Sequence, residues 1–307
     1  MTSDQKQLIL TIITAVAIGA LGFFFAVWLL SPFFSGSIQL PQSFGVGGLR
    51  IQVYGLLLGL GAFAGYLLAM RRKEKFGVAN ENADNIILVS IITGFVGARI
   101  YHVISEFGFY LQYPGQIVAV WNGGLSIFGA AIGAVLGIYL YWKYFLNSTS
   151  GSASSHQYSF LNLLDWLTPS IIVGQIIGRF GNFVNYELYG YPTNFFWKMF
   201  VPQPFRIPPY ELSQFFHPLF LYEAAGSAII LVIVLKLKMR TGMLFLTWLL
   251  LYNVMRFFLE FMRAGSIVYG GVRVNAIFAA TLVVLTIALI YKLRNRKLYV
   301  QQNSSSN

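Results

Sequence analysis

Polar residues interrupt this apolar sequence in few places, and the densest is the stretch GRFGNFVNYELYG, residues 178–190. It closes an apolar run, FLNLLDWLTPSIIVGQII, that is long enough to cross a bilayer, with Arg179, Asn182, Asn185 and Glu187. At about 100° per helical residue, Arg179, Asn182 and Asn185 share one face. A second stripe, Tyr252, Arg256 and Glu260, follows the spacing i, i+4, i+8 in LYNVMRFFLEFMR, with Arg263 continuing it, and a third arginine, Arg99, lies in GARIYHV. A guanidinium at the centre of a span costs about 2.5–3.5 kcal/mol, so these arginines need partners or a purpose. Arginine forms forked, charge-assisted bonds to phosphate oxygens and stays charged when partly dehydrated. Asparagine amides donate to ester carbonyls or hydroxyls. The chemistry these types suit is recognition of a phosphate ester at headgroup level, which makes a phospholipid the expected ligand.

The elements that must position them are membrane spans. Of 307 residues, 57% are hydrophobic and 10% charged, with mean hydropathy +0.66, outside the range of soluble domains. Runs able to cover a hydrocarbon core of about 30 Å lie near 8–30, 54–70, 86–105, 124–142, 159–179, 218–235, 243–262 and 274–291. The predicted fold is an all-α, polytopic transmembrane helix bundle of about eight helices. The first run is longer than a signal-peptide core, lacks a convincing A-x-A site and has a weak positive n-region, so it is expected to stay as an anchor.

The net charge of +11 is explained by topology. With a cytoplasmic N-terminus, thirteen Lys and Arg fall on the inner side and five (Arg50, Lys198, Arg206, Arg263 and Arg273) on the outer. That bias places both termini in the cytoplasm and gives nucleic acid binding no support. The chain has no cysteine, hence no disulfide and no thiol nucleophile of its own. The segment NSTSGSASSHQYS, 147–159, reads as a flexible inner linker, and QQNSSSN as a disordered tail. The longest outer connection, about 186–217, is rich in proline and aromatics and reads as a surface-lying interfacial loop or cap.

On this topology the third, fifth and seventh spans run outward and carry Arg99, Arg179 and Arg256 near their ends. Glu187, Glu260, His217, Tyr222, Glu223 and Tyr54 fall at the same depth, near the outer leaflet. A single arginine near a helix end is commonly a snorkelling anchor. Three at one leaflet, each with amide or carboxylate neighbours, suggest one polar cavity. The bland alternatives are an intrahelical ion pair for Glu260 with Arg256, a structural cap for His217 and interfacial belt roles for Tyr54 and Tyr222.

The chain resembles the prolipoprotein diacylglyceryl transferase family. The resemblance rests on GRFGNFVNYELYG together with GARIYHV, WNGGLSIFGAAIG, HPLFLYEA and LYNVMRFFLEFMR in the same order. It implies transfer of the diacylglyceryl group of phosphatidylglycerol to the lipobox cysteine of a prolipoprotein, with a thioether formed and glycerol phosphate released. It implies catalytic roles for Arg179, Arg256, Tyr252 and Glu260, the arginines binding phosphate and stabilising the leaving group. It implies substrate-binding roles for Tyr54, Arg99, Asn182, Asn185, Glu187 and Gly190. The partners implied are phosphatidylglycerol and the prolipoprotein signal peptide. No metal or other cofactor is called for, and the place is the bacterial cytoplasmic membrane, with the site facing the outer leaflet.

Two features depart from the family pattern. Phe128 stands where the family reads histidine in G-x-S-x-H-G, and a phenyl ring accepts no proton. His102, three residues after Arg99, is the candidate replacement base, with the lipid phosphate or Glu260 as alternatives. The other departure is the extra first helix. The expected organisation is one membrane domain, 1–307, with an added anchor at 1–35, a transferase-like core at 50–293 and a cytoplasmic tail at 294–307. A non-catalytic lipid-binding homologue is the competing reading. A transporter fits less well, since neither internal repeats nor a midplane site are evident.

Overall fold

In the bilayer a backbone with no water to bond must satisfy itself, and long apolar runs therefore become helices. In a computed structural model of the protein, which describes residues 3–47, 49–147, 159–237 and 239–304, eight helices are long and apolar enough to cross a membrane. The chain divides into two compact units, residues 1–67 with 167–307, and residues 68–166.

The first unit opens with α1 (Ser3–Leu29) and the one-turn α2 (Ser31–Phe34). An antiparallel hairpin follows, β1 (Ser43–Val46) and β2 (Leu49–Gln52), registered Ser43 to Gln52. It leads into α3 (Val53–Arg72), most of which belongs to this unit. Without water to drive association, span packing depends on close fit, and small residues allow it. α3 meets α7 (Phe160–Val184) where an added Cβ at Gly61 would lie 3.3 Å from Gly174 Cα and one at Gly65 3.0 Å from the Ser170 carbonyl. After the outer connection come α8 (Leu219–Lys236) and α9 (Met243–Met262). Gly19 of α1 fits against Ile229 of α8, and Gly226 of α8 against Met255 of α9.

The second unit centres on two helices. α4 (Asn80–Ser105) is followed by the short α5 (Phe107–Gln112), an irregular segment with two 3₁₀ turns, and α6 (Ile127–Tyr141), which ends in a π-helical turn at Trp142–Leu146. Gly97 of α4 faces Gly129 and Gly133 of α6 so closely that a Cβ at Gly129 would lie 2.3 Å from the Gly97 carbonyl oxygen, while Gly94 meets Ala130 and Ala134, and Gly137 meets Thr93.

Several expected boundaries move. The third span begins at Asn80, not 86, and the fourth at Ile127, not 124. The fifth runs five residues past Arg179 to Val184. Polar residues there do not end the helix, because their side chains are bonded to one another.

The connection 185–218 is the cap of the two alternatives the sequence left open, folded around its own core and not simply lying on the surface. β3 (Met199–Phe200) and β4 (Phe215–Phe216) pair antiparallel, and Met199, Val201 and Phe216 have no solvent exposure. They form one core with Phe34, Phe183, Tyr186, Tyr189 and Phe220. Proline and aromatics, read as interfacial, instead close this cluster. The hairpin β5 (Val268–Tyr269) and β6 (Val272–Arg273) links α9 to α10 (Val274–Ser304). α10 stays helical through Ser304, so the tail expected to be disordered is helical over residues 301–304. The inner linker between 148 and 158, Lys238 and residues 305–307 lie outside the described residues.

Candidate active site

α7 ends in a Schellman turn: Tyr186 N–H donates to the Phe183 carbonyl (3.1 Å) and Glu187 N–H to that of Asn182 (2.8 Å). Tyr186 takes the left-handed position that glycine usually fills, with φ 55°. The apolar contact that usually accompanies this turn is replaced by a polar one. Asn182 Nδ2 donates to Glu187 Oε2 (3.3 Å), and Asn185 Nδ2 to Glu187 Oε1 (3.1 Å). The two amides thus fix an exposed carboxylate at the helix end.

One turn back, Arg179 Nη1 donates to Asn182 Oδ1 (3.1 Å) and Nη2 to the Tyr252 hydroxyl (2.9 Å). Nη2 also pairs with Glu223 Oε1. The Tyr252 hydroxyl donates to the same oxygen at 2.7 Å. Glu223 Oε2 accepts from Arg256 Nη1 (3.1 Å), whose other amino group reaches Glu260 Oε2 (3.0 Å). Glu223 therefore joins two arginines and a tyrosine from α7 and α9. Its side chain is 1% exposed, whereas those of Arg179 and Arg256 are 21% and 17% exposed. The carboxylate is sealed from solvent while both arginines remain partly accessible.

Glu260 is fully buried, and both its oxygens are occupied. Besides Arg256, Oε2 has Arg263 at 3.8 Å, while Oε1 accepts from Ser266 (2.9 Å) and Asn275 (3.1 Å). Arg273 closes this end by donating to the Glu260 carbonyl (2.7 Å), the Ser266 hydroxyl (2.6 Å) and the Tyr191 hydroxyl. The chain of ion pairs through Arg179, Glu223, Arg256, Glu260 and Arg263 holds three guanidinium groups against two carboxylates. Burial pulls Arg263 below the usual arginine range, and Glu260 works against that.

The remaining residues of the sequence reading fall in three groups. Tyr54 lies over Gly181, where an added Cβ would be 1.9 Å from ring carbon Cδ2, so the tyrosine packs on the site helix. Gly181→Ala is therefore expected to displace Tyr54 and to cost about 1–3 kcal/mol through overpacking, read as a lower thermal midpoint in detergent. Gly190 runs between α8 and α9, its missing Cβ leaving room for Leu219, His217 and the Met262 carbonyl, so packing accounts for the glycine. Arg99 and His102 belong to the second unit. Arg99 Nε donates to the Ile117 carbonyl (2.9 Å), Nη1 to those of Gly123 and Gly124 (2.6 and 2.8 Å), and Nη2 to that of Gln116. With 8% exposure it is built to fasten that segment. The His102 ring meets Tyr110 edge-on at 5.9 Å, and Phe128, 39% exposed, lies 6.2 Å from Tyr101.

His217 takes part in the cap. Its carbonyl accepts from Gly190 and its N–H donates to Tyr191. Trp197 Nε1 donates to the Tyr222 hydroxyl (2.6 Å), which leaves that hydroxyl's proton for His217 Nδ1 at 2.8 Å. Burial lowers the His217 pKa, consistent with a neutral ring accepting there. A cavity of about 500 Å³ adjoins the signature turn, lined by Gln42, Gln52, Asn185, Glu187, Phe205 and Arg263. An apolar groove of about 570 Å³ runs along α9 and α10 past Phe257, Phe261, Ile277 and Leu285.

The family model for prolipoprotein diacylglyceryl transferase matches residues 41–292. The chain belongs to that family. Among its curated relatives, proteins named phosphatidylglycerol–prolipoprotein diacylglyceryl transferase are 34% identical in Fervidobacterium nodosum, over 92% of this chain and 93% of the relative, and 34% identical in Thermotoga maritima, over 90% and 93%. The Bacillus velezensis protein of that name is 34% identical over 81% of this chain and 90% of its own length. As in any member of the transferase family, the polar residues of the bundle call for an account, and sequence reasoning left one out of the site. Sequence places Glu223 at the depth of the arginines but gives it no role, although it binds both. The available signal was a carboxylate inside an apolar helix opening, HPLFLYEA, with no basic residue within a turn to pair with it.

Proposed function

We propose that the protein transfers the diacylglyceryl group of phosphatidylglycerol to the lipobox cysteine thiol of prolipoproteins, at the outer face of the bacterial cytoplasmic membrane. The observation that carries this reading is the pair Arg179 and Arg256, held by one buried carboxylate and themselves partly accessible, in a chain whose relatives bear that name.

In this reading Arg179 and Arg256 bind the lipid phosphate and stabilise it as it leaves. Asn182, Asn185 and Glu187 meet the glycerol hydroxyls and ester carbonyls, the cavity beside them receives the released glycerol phosphate, and the α9–α10 groove takes an acyl chain. Sulfur attacks the glyceryl carbon, the carbon–oxygen bond to phosphate breaks, and the electron pair goes to the phosphate. The thiol proton passes to the phosphate. The Glu260 carboxylate is already engaged by three donors, Arg256, Ser266 and Asn275, with Arg263 beside it, so it is given no part in the proton transfer. Tyr252 orients Arg179 and Glu223.

The test is transfer from phosphatidylglycerol to a lipobox peptide by the purified protein, beside Arg256→Ala and Phe128→His. Transfer by the parent chain that is lost in Arg256→Ala supports the reading and makes a histidine at 128 dispensable. Transfer only after Phe128→His identifies a homologue that kept its lipid site and lost a catalytic group.

A further inference from the structure

The N-terminal segment, read from sequence as a membrane anchor, packs along α8 and continues into contacts beside the site. In α1, the Phe23 ring lies 5.8 Å from both Trp197 and Tyr222, and Tyr222 is the neighbour of Glu223. In α2, Phe34 is 4% exposed and sits edge-on between Phe183 of α7 (5.7 Å) and Phe220 of α8 (6.2 Å). The chain then turns at Gly36, φ 81°, where an added Cβ would lie 2.7 Å from the Phe200 ring. Beyond the turn, Leu40 N–H donates to the Tyr186 hydroxyl (3.2 Å) and Gln42 Nε2 to the Asn185 carbonyl (3.3 Å). Both acceptors are in the turn where Tyr186 and Leu188 hold positive φ, 55° and 53°. Left-handed conformations of such side chains cost about 1–2 kcal/mol each and persist only where their surroundings impose them.

We propose that residues 23–42 are a positioning element, which holds the α7 turn so that Asn182, Asn185 and Glu187 point at the lipid. The family match begins at residue 41, so nearly all of this element precedes it. Phe24, Phe25 and Trp28 are exposed, as in a plain anchor, whereas Phe34 is buried against α7 and α8. The kinetic consequence rests on the transferase reading above, and the geometry does not.

The experiment uses the full chain in two arms. Because the protein has no cysteine, Leu188→Cys supplies a single thiol in the turn, to be labelled with a membrane-impermeant maleimide. Phe34→Ala is expected to speed that labelling severalfold. In the cysteine-free chain, Phe34→Ala is expected to lower kcat about fivefold or more with little change in the KM for lipid, the pattern of lost orientation. Phe34→Leu should restore most of both, and Leu21→Ala, on a residue 72% exposed, should alter neither. If Phe34→Ala does not accumulate, Gly36→Ala perturbs the same element through Phe200. Unchanged labelling and kcat in a well-expressed Phe34→Ala or Gly36→Ala protein overturns the proposal, as does an equal loss in Leu21→Ala. If the parent chain transfers no lipid, the function reading falls while the labelling arm still decides the positioning role.

Discussion

Glu223→Gln is expected to reduce diacylglyceryl transfer by about 10²- to 10³-fold and to lower the thermal midpoint in detergent. Glu223 is almost completely buried and is bonded by Arg179, Arg256 and Tyr252 at once. Glutamine keeps its shape but offers one acceptor oxygen where there were two, and turns an amide toward a guanidinium. Removing one partner of a buried ion pair costs about 3–5 kcal/mol, because the charge left behind is uncompensated. With about 3–4 kcal/mol of that cost falling on the transition state, at 1.36 kcal/mol per tenfold, the rate loss is about 10²- to 10³-fold. Glu223 touches no substrate in this account; it sets where the guanidiniums point. The distinguishing reading is therefore kinetic: kcat should fall while lipid still binds, since the variant site has more positive charge, not less. A Glu223→Gln protein with parental kcat would remove Glu223 from the mechanism.

The difference between what the sequence disclosed and what it withheld follows from the scale of each interaction. Arg179, Arg256 and Glu260 were legible because a charge within an apolar run is costly and therefore conspicuous, and because helical spacing says which ones share a face. The number and order of spans followed from the same economy of backbone hydrogen bonds. Glu223 belongs to a pairing made across 33 residues to Arg256, which no local period encodes. Arg99 looked like its fellow arginines in sequence, yet its four acceptors are backbone carbonyls of a segment whose path depends on tertiary structure. The choice between a surface loop and a cap stayed open for a similar reason. Proline and aromatic residues suit an interface as well as they suit a small core, and only the arrival of Phe34 and Phe183 beside Phe220 decides between them. Gly181 and Gly190 could be noted as small residues, but the neighbours that need the space, Tyr54 and Leu219, lie far away in the chain.

Arg179→Lys is expected to lose about 10²-fold or more in kcat even though the charge is kept. Arg179 uses two amino groups in divergent directions, one toward Asn182 and the other toward Tyr252 and Glu223. An ammonium is a single, strongly hydrated point that can satisfy Glu223 or turn toward the phosphate, but it lacks the planar fork that does both. Loss of one preorganised donor to developing negative charge costs about 10²- to 10³-fold in systems where it has been isolated, and the same order is expected here. The substitution also releases Asn182 from its bond to the guanidinium, loosening the amide that holds Glu187. Arg179→Lys should therefore be worse than a change confined to phosphate affinity: kcat falls, and raising the lipid concentration does not restore it. Recovery of the parental rate at saturating phosphatidylglycerol would reduce Arg179 to a binding charge and shift leaving-group stabilisation to Arg256, whose contact with Glu223 the lysine variant leaves in place.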